Sequence, residues 1–285
     1  MESILQVDNL CKEYPAFSLK NVNFSIKKGS IMGFIGRNGA GKTTTLKAIM
    51  NLVHPTSGQI YLFSFPLIDN EKEIKQKIGY ATGGISYYQR KKLKDIINIT
   101  KIFYKNWDNK TCLHYLKAFS LDQDKKLFEL SEGMKVKFNL TLALSHHAEL
   151  LILDEPTSGL DPVSREELLE IFIHLAKKGV SILFSTHIIS DLSKCADYIT
   201  YIRQGEIIAS EKLTTFLNNY SLVVVKKNSD LSQSQIDLSL GTCQEKNNVT
   251  YLIKRSDEKN FENFLIYKPD LESIMVHLEK KEISL

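Results

Sequence analysis

The stretch SIMGFIGRNGAGKTTTLKAIMNLV, residues 30–53, constrains the fold more than any other. A short apolar run breaks into a glycine-rich turn, and the turn opens directly into a helical pattern. Gly36, Gly41, Lys42 and Thr43 match G-x-x-x-x-G-K-[ST], with Asn38, Gly39 and Ala40 inside the turn. Such a turn lets backbone N–H groups point inward around phosphate oxygens, and the helix behind it adds the positive end of its dipole. Lys42 is then placed for the outer phosphates, Thr43 for a hydroxyl on Mg²⁺, and Thr44 for a phosphate. The motif requires a strand before it and a helix after it, so an α/β chain with a nucleotide site is predicted. The helix is expected to run from Lys42 to the stop at His54-Pro55.

The remaining pattern agrees with that architecture. ELLILDEP and VSILFSTH read as buried strands, and SREELLEIFIHLAKKG between them reads as an amphipathic helix with a glycine stop. Strand–helix–strand alternation with continuous apolar strands predicts a parallel sheet covered on both faces. ILQVDNL and VNFSIKKG near the N-terminus read as strands, the second alternating through Val22, Phe24 and Ile26. Residues 84–145 are mostly helical and polar, as expected of a subdomain inserted into the sheet. Composition shifts after residue 212, which predicts domains 1–212 and 213–285. The second is read as a small α+β appendage closed by a helix with Leu271, Ile274, Met275 and Leu278 on one face.

Charge and cysteine content exclude several classes. The 37 basic and 33 acidic residues leave a net charge of only +4, too balanced for a nucleic-acid footprint. Cys11, Cys112, Cys195 and Cys243 are scattered without metal or disulfide spacing, which fits a reducing cytoplasm. The N-terminus lacks a signal-peptide pattern, and no apolar run approaches the length of a membrane span. Any crossing of a membrane is therefore expected from another chain.

Two strand ends carry candidate chemistry. Asp154 and Glu155 close LLILDEP, where Asp154 is suited to Mg²⁺ and Glu155 to orienting and deprotonating an attacking water. His187 closes SILFST and is expected at the same sheet edge, beside the outer phosphate.

The order of these motifs resembles the ATP-binding cassette family over about residues 2–212. LSEGM (Leu130–Met134) stands where that family has its signature sequence, and SGLD (Ser158–Asp161) resembles its D-loop. The resemblance implies a P-loop NTPase of ABC type, with a RecA-like core, an antiparallel β part and an inserted helical subdomain. It implies ATP and Mg²⁺ as cofactors, Lys42, Glu155 and His187 as catalytic residues, and Tyr14 stacked on adenine. It also implies a second cassette paired head to tail, with Ser131, Gly133 and Asp161 serving the partner's nucleotide. A helix start suits that role because its free N–H groups favour an anion.

The family usually carries a glutamine a few residues after I-G-Y, and this chain reads KIGYATGGISYYQ, with Gly83 at the aligned position and Gln89 six residues later. That departure predicts weak or partner-dependent hydrolysis. It also keeps open a second reading, a nucleotide-gated sensor with little turnover of its own. LSEGM, FYKNWD and the short tail resemble the cassettes of bacterial two-component exporters of peptides, toxins and antimicrobials, phenol-soluble modulins among them. A separate transmembrane permease and a location at the cytoplasmic face of a bacterial membrane follow from that resemblance. RKKLK (Arg90–Lys94) is read as a solvated helix face, and His146-His147 as surface.

Overall fold

Two long strands with alternating burial begin the chain. β1 (Ser3–Tyr14) and β2 (Phe17–Lys27) pair antiparallel, with Val7 opposite Phe24 and Leu10 opposite Val22. The computed structural model describes residues 2–82, 88–227 and 231–279. β3 (Ile31–Ile35) is buried throughout and leads through the glycine-rich turn into α1 (Lys42–Ile49). β4 (Ser57–Leu62) returns to β1, and β5 (Phe65–Pro66) extends that sheet to the order β2-β1-β4-β5. α2 (Leu67–Lys75) then feeds β6 (Ile78–Thr82).

Three helices follow, α3 (Leu93–Phe103), α4 (Asn109–Ala118) and α5 (Glu132–Ser145). They enclose a core of their own around Leu93, Ile96, Leu116, Leu127 and Phe138. The chain then alternates through β7 (Leu150–Asp154), α6 (Pro162–Lys177), β8 (Ser181–Thr186), α7 (Ile189–Cys195), β9 (Tyr198–Arg203) and β10 (Glu206–Lys212). The second sheet has the order β10-β9-β3-β8-β7-β6, and its ladders from β9 to β6 are parallel. Strands β3, β7 and β8 are buried on both faces, as a covered parallel sheet requires. Their shared direction brings the ends of all three to one edge, where open α/β sheets bind their ligands. Helix α7 packs tightly beneath: a Cβ on Gly33 would fall 2.0 Å from Leu192 Cδ2.

The molecule forms two compact units, one ending at Ser210 and the other beginning at Glu211. In the second, α8 (Leu213–Asn218) precedes β11 (Tyr220–Lys226), α9 (Gln233–Asp237), β12 (Gly241–Gln244), β13 (Asn248–Lys254), β14 (Leu265–Tyr267) and α10 (Leu271–Glu279). Its sheet runs β12-β13-β11-β14 with antiparallel ladders. Leu271, Ile274 and Met275 of α10 are buried, while Leu278 is half-buried. His277 is locked between Ser273 O at 2.7 Å and Thr250 Oγ1 at 2.9 Å.

Three sequence readings need correction. Helix α1 stops at Ile49 because Asn51 turns left-handed (φ 53°), and the Leu52 and Asn51 N–H groups bond back to Lys47 O and Ala48 O. This Schellman closure ends the helix before the proline is reached. RKKLK is not a helix face: Arg90 and Lys91 precede α3, Lys92 caps it, and Leu93 is fully buried. Lys92 and Lys94 both pair with Asp124. His146 is not on the surface. His147 takes the left-handed position that closes α5 (φ 59°), which turns His146 inward. There its ring stacks on Tyr104 with centroids 3.7 Å apart, and Nδ1 lies 3.1 Å from Gln76 O. Burial pushes its pKa down to about 4.

Candidate active site

The glycine-rich turn is shaped by close approach and by backbone sign. A Cβ on Gly36 would meet Ile202 O at 2.3 Å, so the turn can lie against β9 only without a side chain there. Gly41 caps α1 at φ 114°, a conformation that disfavours any residue with a Cβ. No side chain caps α1, and no acid stands in its first turn, so the positive end of the helix is left for an anion. Thr43 is exposed and Thr44 half-exposed on that turn, while Thr45 is buried with its hydroxyl on Gly41 O at 2.9 Å. Arg37, Asn38 and Gly39 are exposed, and Ala40 is buried.

Lys42 is buried and folds back over the turn. Its Nζ donates to Gly36 O at 2.7 Å and Arg37 O at 3.3 Å, and lies 3.5 Å from Glu155 Oε1. The other carboxylate oxygen of Glu155, Oε2, is 2.7 Å from His187 Nδ1 and 3.4 Å from the His187 N–H. Lys42 at the start of α1 and His187 just after β8 thus converge on the one carboxylate that follows β7. A donating Nδ1–H leaves Nε2 of the neutral ring as a lone pair. Glu155 itself has a left-handed backbone (φ 53°), the kind of local strain that concentrates at functional sites.

Asp154 is buried beside it. Ser185 Oγ donates to Asp154 Oδ1 at 2.6 Å and accepts the Glu155 N–H at 2.9 Å. The motif reading passed over Ser185. Its signal lay in strand register, because Asp154 and Ser185 are partners in the parallel ladder of β7 and β8.

Tyr14 ends β1 and is 41% exposed, with Lys12 Nζ 5.5 Å from its ring centre. Its ladder partner Phe17 borders Gly41, which brings this strand end toward the glycine-rich turn.

Ser131, Gly133 and Asp161 form a second group. Ser131 is exposed and caps α5, its Oγ accepting the Met134 N–H at 3.3 Å. Glu132 follows in the first turn and pairs with Lys135 at 2.6 Å. Gly133 is buried against Ser164 and Leu160. Asp161 caps α6 by accepting the N–H groups of Val163 and Ser164 at 3.0 and 3.1 Å, and hydrogen bonds from Ser164 hold its carboxyl below the usual range. Among the described residues no hydrogen bond or ion pair joins this group to Lys42 or Glu155. Beneath it, Asp191 is buried with Thr157 and Arg165 as polar neighbours, and burial raises its carboxyl above the usual range. Gly83 lies outside the described residues.

A basic turn at a helix start, a buried acid and a water-activating acid at one sheet edge suit phosphoryl transfer from a nucleotide. Comparison with known proteins agrees. The family model described as ABC transporter matches residues 19–158. The bacitracin transport ATP-binding protein BcrA of Bacillus licheniformis is 35% identical over 212 residues, which cover 73% of this chain and 69% of that protein. The lantibiotic transport ATP-binding protein SrtF of Streptococcus pyogenes is 35% identical over 228 residues, covering 77% of this chain and 98% of that one. A solved dimer of an ATP-binding cassette in a post-hydrolysis state with ADP and phosphate superimposes with a TM-score of 0.61. It is 25% identical and covers 73% of this chain and 98% of that one. ABC ATP-binding subunits work with transmembrane permeases and dimerise. The chain belongs to the ABC transporter family, as an ATP-binding subunit that hydrolyses ATP.

Proposed function

We propose that this chain powers a peptide exporter by closing on a second cassette around ATP and opening again after hydrolysis. The observation that carries the reading is the Glu155 carboxylate held between Lys42 Nζ at 3.5 Å and His187 Nδ1 at 2.7 Å. In this assignment Tyr14 stacks on adenine, and the glycine-rich turn with Lys42 and Thr44 holds the phosphates. Glu155 takes a proton from the attacking water, and His187 steadies that carboxylate. The exposed start of α5, Ser131 with Gly133, caps the outer phosphate of the partner's nucleotide, and Asp161 lies across the same junction.

The residues fit Mg²⁺. Asp154 is a buried carboxylate and Thr43 offers an exposed hydroxyl, both hard oxygen donors. Among the described residues no cluster of three or more acids, histidines or cysteines forms a protein-built cage, and Mg²⁺ bound to a nucleotide needs none. Bound there, the ion would neutralise charge on the phosphate oxygens as the terminal bond breaks.

No helix among the described residues is long and apolar enough to cross a membrane, so the exporter's pathway is assigned to a separate permease. The chain would dock on its cytoplasmic face. The cargo class follows from relatives named for bacitracin and lantibiotic transport, which points to amphipathic peptide antibiotics or toxins.

The test is the mass in solution of the Glu155→Gln chain with and without ATP and Mg²⁺. An ATP-dependent doubling of mass supports the paired cassette. A monomer that binds ATP at all protein concentrations overturns self-pairing and transfers the partner's role to a different cassette.

A further inference from the structure

Ser185 stands where β7 and β8 bring two acids within reach of one hydroxyl. It is fully buried and is the ladder partner of Asp154. Its Oγ donates to Asp154 Oδ1 at 2.6 Å and accepts the Glu155 N–H at 2.9 Å, while its carbonyl accepts that same N–H at 3.2 Å. Among the described residues this is the only side-chain hydrogen bond made by Asp154. A serine hydroxyl has one proton to give. With that proton on Asp154, the oxygen's lone pairs face the Glu155 amide, so N–H, O–H and carboxylate form one directed chain in which each bond polarises the next.

Both ends of that chain need holding. A carboxylate on a strand end can rotate about its terminal torsion, which is broad and poorly fixed by rotamer preference alone. Glu155 has a left-handed backbone (φ 53°), where a residue with a side chain persists only if its surroundings keep it there. Relaxation of that backbone would carry the Glu155 side chain away from Lys42 and His187.

We propose that Ser185 is a positioning residue for ATP hydrolysis, its one buried hydroxyl orienting the Asp154 carboxylate and pinning the backbone of Glu155. The inference rests on the reading of Asp154 as the metal-holding acid and Glu155 as the water-activating acid. It adds a fully buried residue that acts through both acids at once. Partners of this kind typically change metal affinity or activity by about 10–100-fold when removed.

Thr and Val at position 185 test the hydroxyl against shape, since the two side chains have the same outline, each one heavy atom larger than serine, and differ by the exchange of a hydroxyl for a methyl. Relative to Ser185→Thr, the Ser185→Val chain is expected to lose about 10–100-fold in kcat while KM for ATP changes by less than about threefold. A readout free of turnover is the affinity for Mn²⁺ in the presence of a non-hydrolysable ATP analogue, expected to fall about tenfold in Val relative to Thr. Hydrogen exchange of the peptide spanning residues 150–158 should be faster in Val than in Thr. If Val does not fold, Ser185→Ala, which removes volume instead of adding it, replaces it in the same comparison. Equal kcat, Mn²⁺ affinity and exchange in the hydroxyl-bearing and hydroxyl-lacking chains overturn the proposal. Glu155→Gln is run in parallel: if it retains full turnover, the site assignment fails, whereas its loss with equal Thr and Val chains sinks only the role of Ser185.

Discussion

His187 Nδ1 stands 2.7 Å from Glu155 Oε2, although the two residues follow different strands, β8 and β7, and lie 32 positions apart. The pairing gives the glutamate a fixed direction and leaves its other oxygen to Lys42. Removing the imidazole by His187→Ala should lower kcat by about 100-fold or more, in the range general-base machinery contributes. The ring is half-exposed, so stability should change by less than about 0.5 kcal/mol. Steady-state ATPase assays with nucleotide binding measured separately check this. A large loss of ATP affinity with unchanged kcat would contradict the assignment.

In the proposed pairing, the start of α5 carries an acid where the partner's phosphate would approach. Glu132 is in the first turn, and its charge is partly met by Lys135 at 2.6 Å. Glu132→Gln should tighten ATP-driven pairing of a Glu155→Gln chain by about two- to fivefold, and Lys135→Ala should weaken it, in line with exposed helix-end charges. Sedimentation at two salt concentrations is the measurement. The effect should shrink at high salt, where exposed charges are screened.

Gly36 offers a test of the turn itself. Alanine there places a Cβ 2.3 Å from Ile202 O, so the turn must move off β9. Gly36→Ala is expected to cost about 1–3 kcal/mol, the usual size of an overpacking penalty. ATP binding should be lost at temperatures where the chain is still folded. Thermal unfolding and a nucleotide titration on one sample separate the two effects.

His146 gives the fold a pH dependence of known sign. Its pKa is near 4 when folded and about 6.5 when free, so the unfolded chain binds the extra proton between those values. Stability is therefore full above about pH 6.5 and falls as pH drops toward 4, by about 3 kcal/mol at most. His146→Gln should flatten this part of the curve. Urea unfolding of both chains at pH 7 and pH 5 is the check, and equal pH dependence would show that the ring titrates normally in the fold.

The glycine-rich turn between β3 and α1 and the buried strand that ends at Asp154 were legible in the sequence because each lies in one continuous stretch whose residue types dictate its backbone. Glycines at 36, 39 and 41 and a run of apolar residues before Asp154 leave few alternatives. Features built across strands were not. Ser185 serves Asp154 only because β7 and β8 align in parallel register, and nothing local in FSTH states that alignment. His146 was misread because its stacking partner, Tyr104, lies 42 positions away and because the left-handed turn belongs to its neighbour His147. In the second unit, β12 and β14 have four and three residues, too short for alternation to be seen.

The close approach of Gly33 and Leu192 ties together a strand and a helix of the core. Gly33 lies in β3 just before the glycine-rich turn, and Leu192 five residues after His187 in α7. Any side chain added at 33 would enter the space of the Leu192 side chain, which must then turn aside within the core or shift with its helix. Substitutions at the two positions should therefore be coupled across related sequences: alanine at 33 together with a smaller residue at 192, leucine at 192 only with glycine at 33. A single exchange at either place would read as a defect in hydrolysis, although its origin is a matter of volume shared between a strand and a helix.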